Sequence, residues 1–249
     1  SGSRSTIRKQ TIPYITRLAL PPDYDNVAEF MCENYYKHEP VIINSGLADT
    51  EAPPVWRVMM REQVQAGYSI IAETPDNCLI GAALNSITSA NDPQRLYTLA
   101  KCCDEGPIRN ILEFFAYLSE MPGIWERYCV SRVFEQCSLA VDSRYQNLGI
   151  ATRLIQESWI LARDCGFRVF RVDCNKILMC RYCEKIARGF GWPMIWSIPF
   201  GQYVIDGEIV FKCVKEPHTV CKVFVDELRY CKTYCVPYNQ CKTVTPPPV

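Results

Sequence analysis

Histidine is nearly absent from this chain: His38 and His218 are the only two among 249 residues. That scarcity removes the commonest zinc ligand. Cys180 and Cys183 form a CxxC pair, but no second pair follows at zinc-ribbon distance, so no metal is expected. Surplus charge is lacking as well, because 27 Lys and Arg balance 27 Asp and Glu. No bulk positive field draws in nucleic acid or an anionic bilayer, and neither partner is expected. No apolar run approaches the roughly 18 residues that suggest a membrane span. The opening SGSRSTIRKQ lacks the hydrophobic stretch of a secretory signal. The glycine-rich nucleotide fingerprints are missing too: the chain holds neither a Walker motif nor a GxGxxG.

What is present reads as an ordinary globular protein, 48% hydrophobic and 22% charged, with an unusual 15 cysteines. Cys32, Cys137, Cys165 and Cys174 sit inside apolar patterns, which suits small reduced core residues of a cytoplasmic protein better than a disulfide scaffold. Residues 1–10, with Arg4, Arg8 and Lys9, read as a solvated arm whose first residues resemble a cloning remnant. Residues 11–228 read as a single domain. From 229 to 249 the composition shifts to Cys, Tyr, Lys, Thr and Pro, including Cys231, Cys235 and Cys241, and marks a surface tail.

Within the domain, strands alternate with helices, which predicts an α/β fold. A strand over Tyr14–Leu20 leads into a helix carrying Val27, Phe30, Met31 and Tyr35 on one face and ended by Pro40. A helix over Trp56–Ala66 stops at Gly67. Strands follow at Tyr68–Glu73 and Cys78–Ile87, joined through Pro75-Asp76-Asn77. Residues 88–107 show no convincing period, and a helix is expected over Ile108–Met121. A strand through Val133, Cys137, Leu139 and Val141 then passes by a short loop into a helix ended by Gly166. Next come a strand over Phe167–Cys174 and a helix over about Leu178–Arg188. Trp192–Pro199 and Glu208–Val214 are expected to form a hairpin, with Val220–Val225 as a further strand.

The strongest local signal is Leu139-Ala-Val-Asp-Ser-Arg-Tyr-Gln-Asn-Leu-Gly-Ile-Ala-Thr-Arg-Leu154. Gly149 and Ala151 carry little bulk where a strand turns into an amphipathic helix. Backbone amides of residues 146–152 are therefore able to approach and cradle a diphosphate, aided by the positive end of the helix. The same pattern also serves a connection that is tight for packing alone.

Gln146-Asn-Leu-Gly149-Ile-Ala151 resembles motif A, Q/R-x-x-G-x-G/A, of the Gcn5-related N-acetyltransferases. Tyr35-Tyr-Lys-His-Glu-Pro40, Leu139-Ala-Val-Asp142, Leu148-Gly-Ile-Ala151 and Gly207-Glu-Ile-Val-Phe-Lys212 are similar to segments of the invertebrate arylalkylamine branch. The resemblance covers residues 11–228. It implies a mixed, mostly antiparallel central sheet with a splayed parallel strand pair and helices on both faces, binding acetyl-CoA as co-substrate. Leu139, Ala140 and Val141 would meet the pantetheine arm, and Gln146, Asn147, Leu148, Gly149, Ile150, Ala151 and Thr152 the pyrophosphate. Glu39 would be the general base that takes a proton from the amine.

Two departures stand out. Where the insect branch resembles Cys-Ser-Ser-x-x-Ser, with serines proposed to assist catalysis, this chain reads Cys174-Asn175-Lys176-Ile177-Leu178-Met179. Where many relatives have a general-acid tyrosine, Cys183 precedes Glu184-Lys185, with Tyr182 about 100° away around a helix. Leaving-group protonation thus falls to solvent, Cys183 or a shifted Tyr182. Tyr35, Tyr36, His38, Trp56 and Phe114, with Phe115, are candidates for the substrate wall, although aromatic residues at helical spacing also build cores. The resemblance implies acetyl transfer to a small arylalkylamine of the dopamine, tyramine, octopamine or serotonin type. The alternatives are polyamine or agmatine acetylation, favoured by a tunnel lined with carboxylates, and protein acetylation, favoured by an open groove. A third is a catalytically weakened acyl-CoA-binding protein. A monomer is expected, with a dimer as the alternative.

Overall fold

A computed structural model describes residues 12–174, 177–212, 214 and 219–228, without the side chains of 40 and 177–182. The flanking arm and tail lie outside the described residues. The chain runs β1 (Ile15–Leu18), α1 (Tyr24–Asn34), α2 (Pro40–Asn44), α3 (Pro54–Gln65), β2 (Ile70–Glu73), β3 (Leu79–Thr88), α4 (Asp92–Lys101), α5 (Pro107–Glu120) and α6 (Ile124–Tyr128). It continues through β4 (Val133–Val141), α7 (Ile150–Asp164), β5 (Val169–Cys174), α8 (Ile177–Gly189), β6 (Met194–Pro199), β7 (Val204–Ile205), β8 (Glu208–Ile209) and β9 (Val220–Glu227).

Seven strands form one sheet in the order β1-β2-β3-β4-β5-β9-β6. Every neighbouring pair is antiparallel except β4 and β5. The parallel ladder joins only Phe134–Gln136 to Phe170–Val172. Past it, β4 stays paired with β3 as far as Val141, and β5 with β9 as far as Cys174. The two central strands therefore fork at Gln136, and the sheet is the mixed, splayed one that the resemblance implied.

Strand periodicity divides the core between two faces. Ile71, Ala82, Leu84 and Ala140 pack with Val27 and Met31 of α1, Met60 and Val64 of α3, and Ile111 and Leu118 of α5. Ile70, Ala72, Ala83, Leu139 and Val141 pack with Ile150, Leu154 and Ile155 of α7 and with Cys183 and Ile186 of α8. A bulge, in which Ala72 opposes Gly81 and Glu73 opposes Leu79, turns Ile80 and Gly81 toward α7 together. A Cβ on Gly81 would stand 3.0 Å from Ile150 and 3.1 Å from Leu154. The missing side chain thus lets α7 lie close against the sheet. At the other end of α7, Gly166 (φ 84°) closes a Schellman cap, with Phe167 N–H donating to Ala162 O.

Four sequence expectations are corrected. Residues 88–107 contain α4; its signal is Asp92, which accepts from Ser89 N and Oγ, followed by Pro93 in the first turn. Pro40 starts α2 instead of ending α1, which stops at Asn34 before a 3-10 turn over Tyr36–His38. Met194–Pro199 pairs with β9, not with the Glu208 segment. That segment turns back on β7 through Asp206-Gly207, whose φ values of 50° and 83° suit a tight two-residue hairpin. Finally, Cys165 is exposed at the end of α7, whereas Cys174 is buried.

Candidate active site

The diphosphate candidate starts where β4 ends. Asp142 accepts a hydrogen bond from Arg144 N at 2.9 Å and pairs with the Arg144 guanidinium at 2.6 Å, fixing a 3-10 turn over Ser143–Tyr145. The Arg144 hydrogen bond holds the Asp142 carboxyl below its ordinary range. Asn147 (φ 63°) and Gly149 (φ 85°) then both adopt the left-handed conformation. Asparagine reaches it through its short polar side chain and glycine without penalty. Such flanking residues turn successive amides toward one side.

Gly149 is the N-cap of α7 and supplies no side-chain cap, so amides of the first helical turn point outward. A Cβ on Gly149 would meet nothing within 4 Å, so the backbone conformation, and not protein packing, calls for glycine here. Gln146, Asn147 and Thr152 are exposed, while Ile150 is buried and anchors the turn. The loop sits at the end of β4 from which β5 has diverged. Leu139, Ala140 and Val141 form the β4 arm of that fork and are buried.

Beside the fork lies a cavity of about 170 Å³. Tyr35, Trp56, Met60, Leu96, Phe115 and Leu118 form its apolar wall, and Cys137 and Ser138 of β4 line it. Trp56 stands 5.6 Å from the Tyr36 ring and 5.7 Å from Phe115. Of the aromatic candidates, Tyr35 and Trp56 line the cavity. Tyr36 is buried behind Trp56, and His38 is exposed. Phe114 packs against Phe200, Tyr203 and Phe211 at 4.8–5.7 Å; its neighbour Phe115 lines the cavity.

Glu39, the expected base, is 1% exposed and follows the 3-10 turn that joins it to α1. Burial first, then the Glu39 charge, push the Tyr35 phenol well above its ordinary value; Cys137 and Cys183 also bear on it. Cys183 is buried in α8. The Tyr182 side chain and residues 175–176 lie outside the described part of the chain.

The cavity also has a polar floor. Arg171, 1% exposed, holds Asp173 through two hydrogen bonds of 2.8 and 2.7 Å, donates to Leu118 O, and stands 3.7 Å from Glu135. Burial raises the Glu135 carboxyl, with Arg171 opposing. Burial works against the Arg171 charge, yet Asp173 and Glu135 outweigh it and raise the guanidinium above the ordinary arginine value. Glu135, Asp173, Glu62 and Asp92 line the cavity, and Arg95 binds Glu62 at 2.6 Å. Sequence reasoning missed this group; its signal was charge inside apolar strands, Glu135 in β4 and Arg171-Val-Asp173 in β5.

No protein-family model matches the chain. Its fold does have solved counterparts. An arylalkylamine N-acetyltransferase-like protein 5b from mosquito superposes with a TM-score of 0.79 at 22% identity, covering 87% of this chain and 100% of that one. Arylalkylamine N-acetyltransferase 2 from Aedes aegypti gives 0.78 at 23% identity, over 87% and 99%. A Drosophila melanogaster polyamine N-acetyltransferase that forms N-acetylagmatine gives 0.78 at 18%, over 87% and 100%. The chain therefore has the Gcn5-related N-acetyltransferase fold, shared with several branches and not tied to one of them.

Proposed function

We propose that this chain transfers the acetyl group of acetyl-CoA to the primary amine of a small molecule. The observation that carries the reading is the fork: a left-handed amide loop capping α7 stands at the open end of a parallel pair that separates after three residues on each strand. A diphosphate suits the loop, and an extended pantetheine arm suits the freed edge of β4. The site needs no metal for this chemistry. The thioester is already activated, and the buried carboxylate of Glu39 would take the ammonium proton so that the nitrogen lone pair can attack.

The wall of Trp56, Phe115 and Tyr35 supports an arylalkylamine as the acceptor. One feature favours a second reading, a polyamine or agmatine: four carboxylates line the cavity, and the cations nearest them are Arg95 and Arg171. CoA release measured with tyramine, dopamine, serotonin, agmatine, putrescine and a peptide separates these readings. Preference for aryl amines supports the first, and preference for dications the second. In the second case, Glu135→Gln should reduce kcat/KM for agmatine while leaving tyramine nearly unchanged. Tight acetyl-CoA binding without release from any acceptor would leave only an acyl-CoA-binding protein.

A further inference from the structure

The cavity beside the fork lies between α3 and α4, and its rim carries an ion pair that the acetyl-transfer reading leaves without a role. Met59, Met60 and Gln63 of α3 line one side, and Leu96 and Leu99 of α4 the other. Glu62 and Arg95 belong to the same two sides. Among the described residues that line the cavity, these two alone are exposed, and all the rest are buried or half-buried. Exposure marks where solvent reaches the cavity, so its mouth carries one carboxylate and one guanidinium. Arg95 Nη2 donates to both Glu62 oxygens, at 2.7 and 2.6 Å, and the pair thereby spans the rim from one helix to the other.

A pair placed this way is easily exchanged. Its side chains are 63% and 47% exposed, and ion pairs in water are worth no more than a few-fold in an equilibrium. An aliphatic amine, whose ordinary value is near ~10.4, arrives as an ammonium at neutral pH and competes for the same carboxylate. Arg95 also has a second partner at hand. Asp92, one turn earlier on α4, offers Oδ1 at 4.0 Å from Arg95 Nη1, while its Oδ2 is occupied by Ser89 N and Oγ. When Glu62 takes another cation, a small movement of Arg95 onto Asp92 leaves no charge stranded.

We propose that Glu62 is the entry carboxylate of the acceptor cavity: it captures the acceptor's ammonium at the rim in exchange for Arg95, which closes on Asp92. This rests on the acetyl-transfer reading and deepens it, because it makes Glu62 and Arg95 opposing determinants of which amines enter. Ion pairs exchange, and no covalent bond breaks. From the rim, the captured amine moves inward along the wall that Trp56 and Phe115 provide.

The test uses Glu62→Gln and Arg95→Gln, which break the same ion pair from its two sides. A pair that only ties α3 to α4 would give the same effect in both variants, whereas the exchange predicts opposite effects on KM. With tyramine or agmatine at low salt, Glu62→Gln should raise KM ~5-fold by removing the capture, the scale of one exposed ion pair. Arg95→Gln should lower KM ~2- to 5-fold by removing the competing cation. In both variants kcat and the calorimetric affinity for acetyl-CoA should change little, and Arg95→Lys, which keeps the charge, should return KM toward wild type. The gap between the two glutamine variants should narrow in 1 M salt, where the screening length is ~3 Å. A KM that moves in the same direction in both variants, or in neither, overturns the exchange while leaving acetyl transfer intact. Wild-type protein that releases no CoA with any amine overturns the acetyl-transfer reading, and the capture with it. Both positions are exposed within helices, where glutamine is well accepted; should either variant lose its cooperative unfolding transition, alanine at that position carries the same predicted sign.

Discussion

The two ends of the candidate site are built by opposite means. The cofactor end is a contiguous, largely exposed loop, residues 142–152, whose shape comes from an Asp142 turn and two left-handed residues. The candidate acceptor end is drawn from the end of α1 and from α3, α4, α5, β3, β4 and β5, and its inner wall, with Tyr35, Trp56, Met60 and Leu118, is buried. One end is therefore a matter of backbone conformation, tolerant of distant changes. The other is a matter of packing and compensated charge, where a single partner's loss leaves others stranded. Substitutions should separate the two: global stability should suffer at the acceptor end and cofactor affinity at the loop.

The largest effect is expected at Arg171. Arg171→Met keeps bulk but strands Asp173 and leaves Glu135 without its counterion in the interior. Breaking such a buried arrangement costs ~3–5 kcal/mol, readable as a lowered urea midpoint at neutral pH. Destabilisation below about 1 kcal/mol, within the range of an exposed ion pair, would show that water reaches this floor and would weaken the contrast.

Gly149→Val comes next. A β-branched residue at φ 85° carries strain of ~1–3 kcal/mol. If the loop relaxes to escape it, acetyl-CoA should bind ~10- to 100-fold more weakly, with little change in cooperative unfolding. Calorimetry that finds equal affinity in a folded variant would remove the loop from cofactor binding.

The smallest effect belongs to Asp142→Asn, which loses an ion pair to the largely exposed Arg144 and should weaken acetyl-CoA only a few-fold. Its sign with pH is defined. Arg144 lowers the folded-state value of Asp142, so the contribution is present above the unfolded carboxylate value of ~3.9. It is lost as pH falls through the lower folded value. Acetyl-CoA titrations from neutral pH down to about 4 should therefore reveal no loss of affinity from this group in the wild type. An affinity that climbs on acidification would contradict the ion-pair account.

The same contrast explains what could be read from the sequence. Gly149, Gly166 and the strand-loop-helix pattern act within a few residues, and the motif resemblance supplied the fork that periodicity alone does not reveal. Asp206-Gly207 was equally local, but the hairpin expected for its neighbours drew on hydrophobic runs without weighing that turn. The acceptor end was legible only in fragments. Whether Phe114 or Phe115 faces the cavity depends on the rotation of α5 against Phe200 and Phe211, from a distant part of the chain. The Arg171 compensation arises from tertiary placement.

The central claim is that a buried carboxylate deprotonates an amine beside a separately built acetyl-CoA cradle. Its most direct test is kcat/KM measured across a pH series for wild type and Glu39→Gln, with acetyl-CoA titrated into both. The expected result is a loss of ~10²-fold near neutral pH, partly recovered as pH rises toward the amine's own value near ~10.4, with cofactor affinity unchanged. Equal activity of the two proteins across the series would contradict the account.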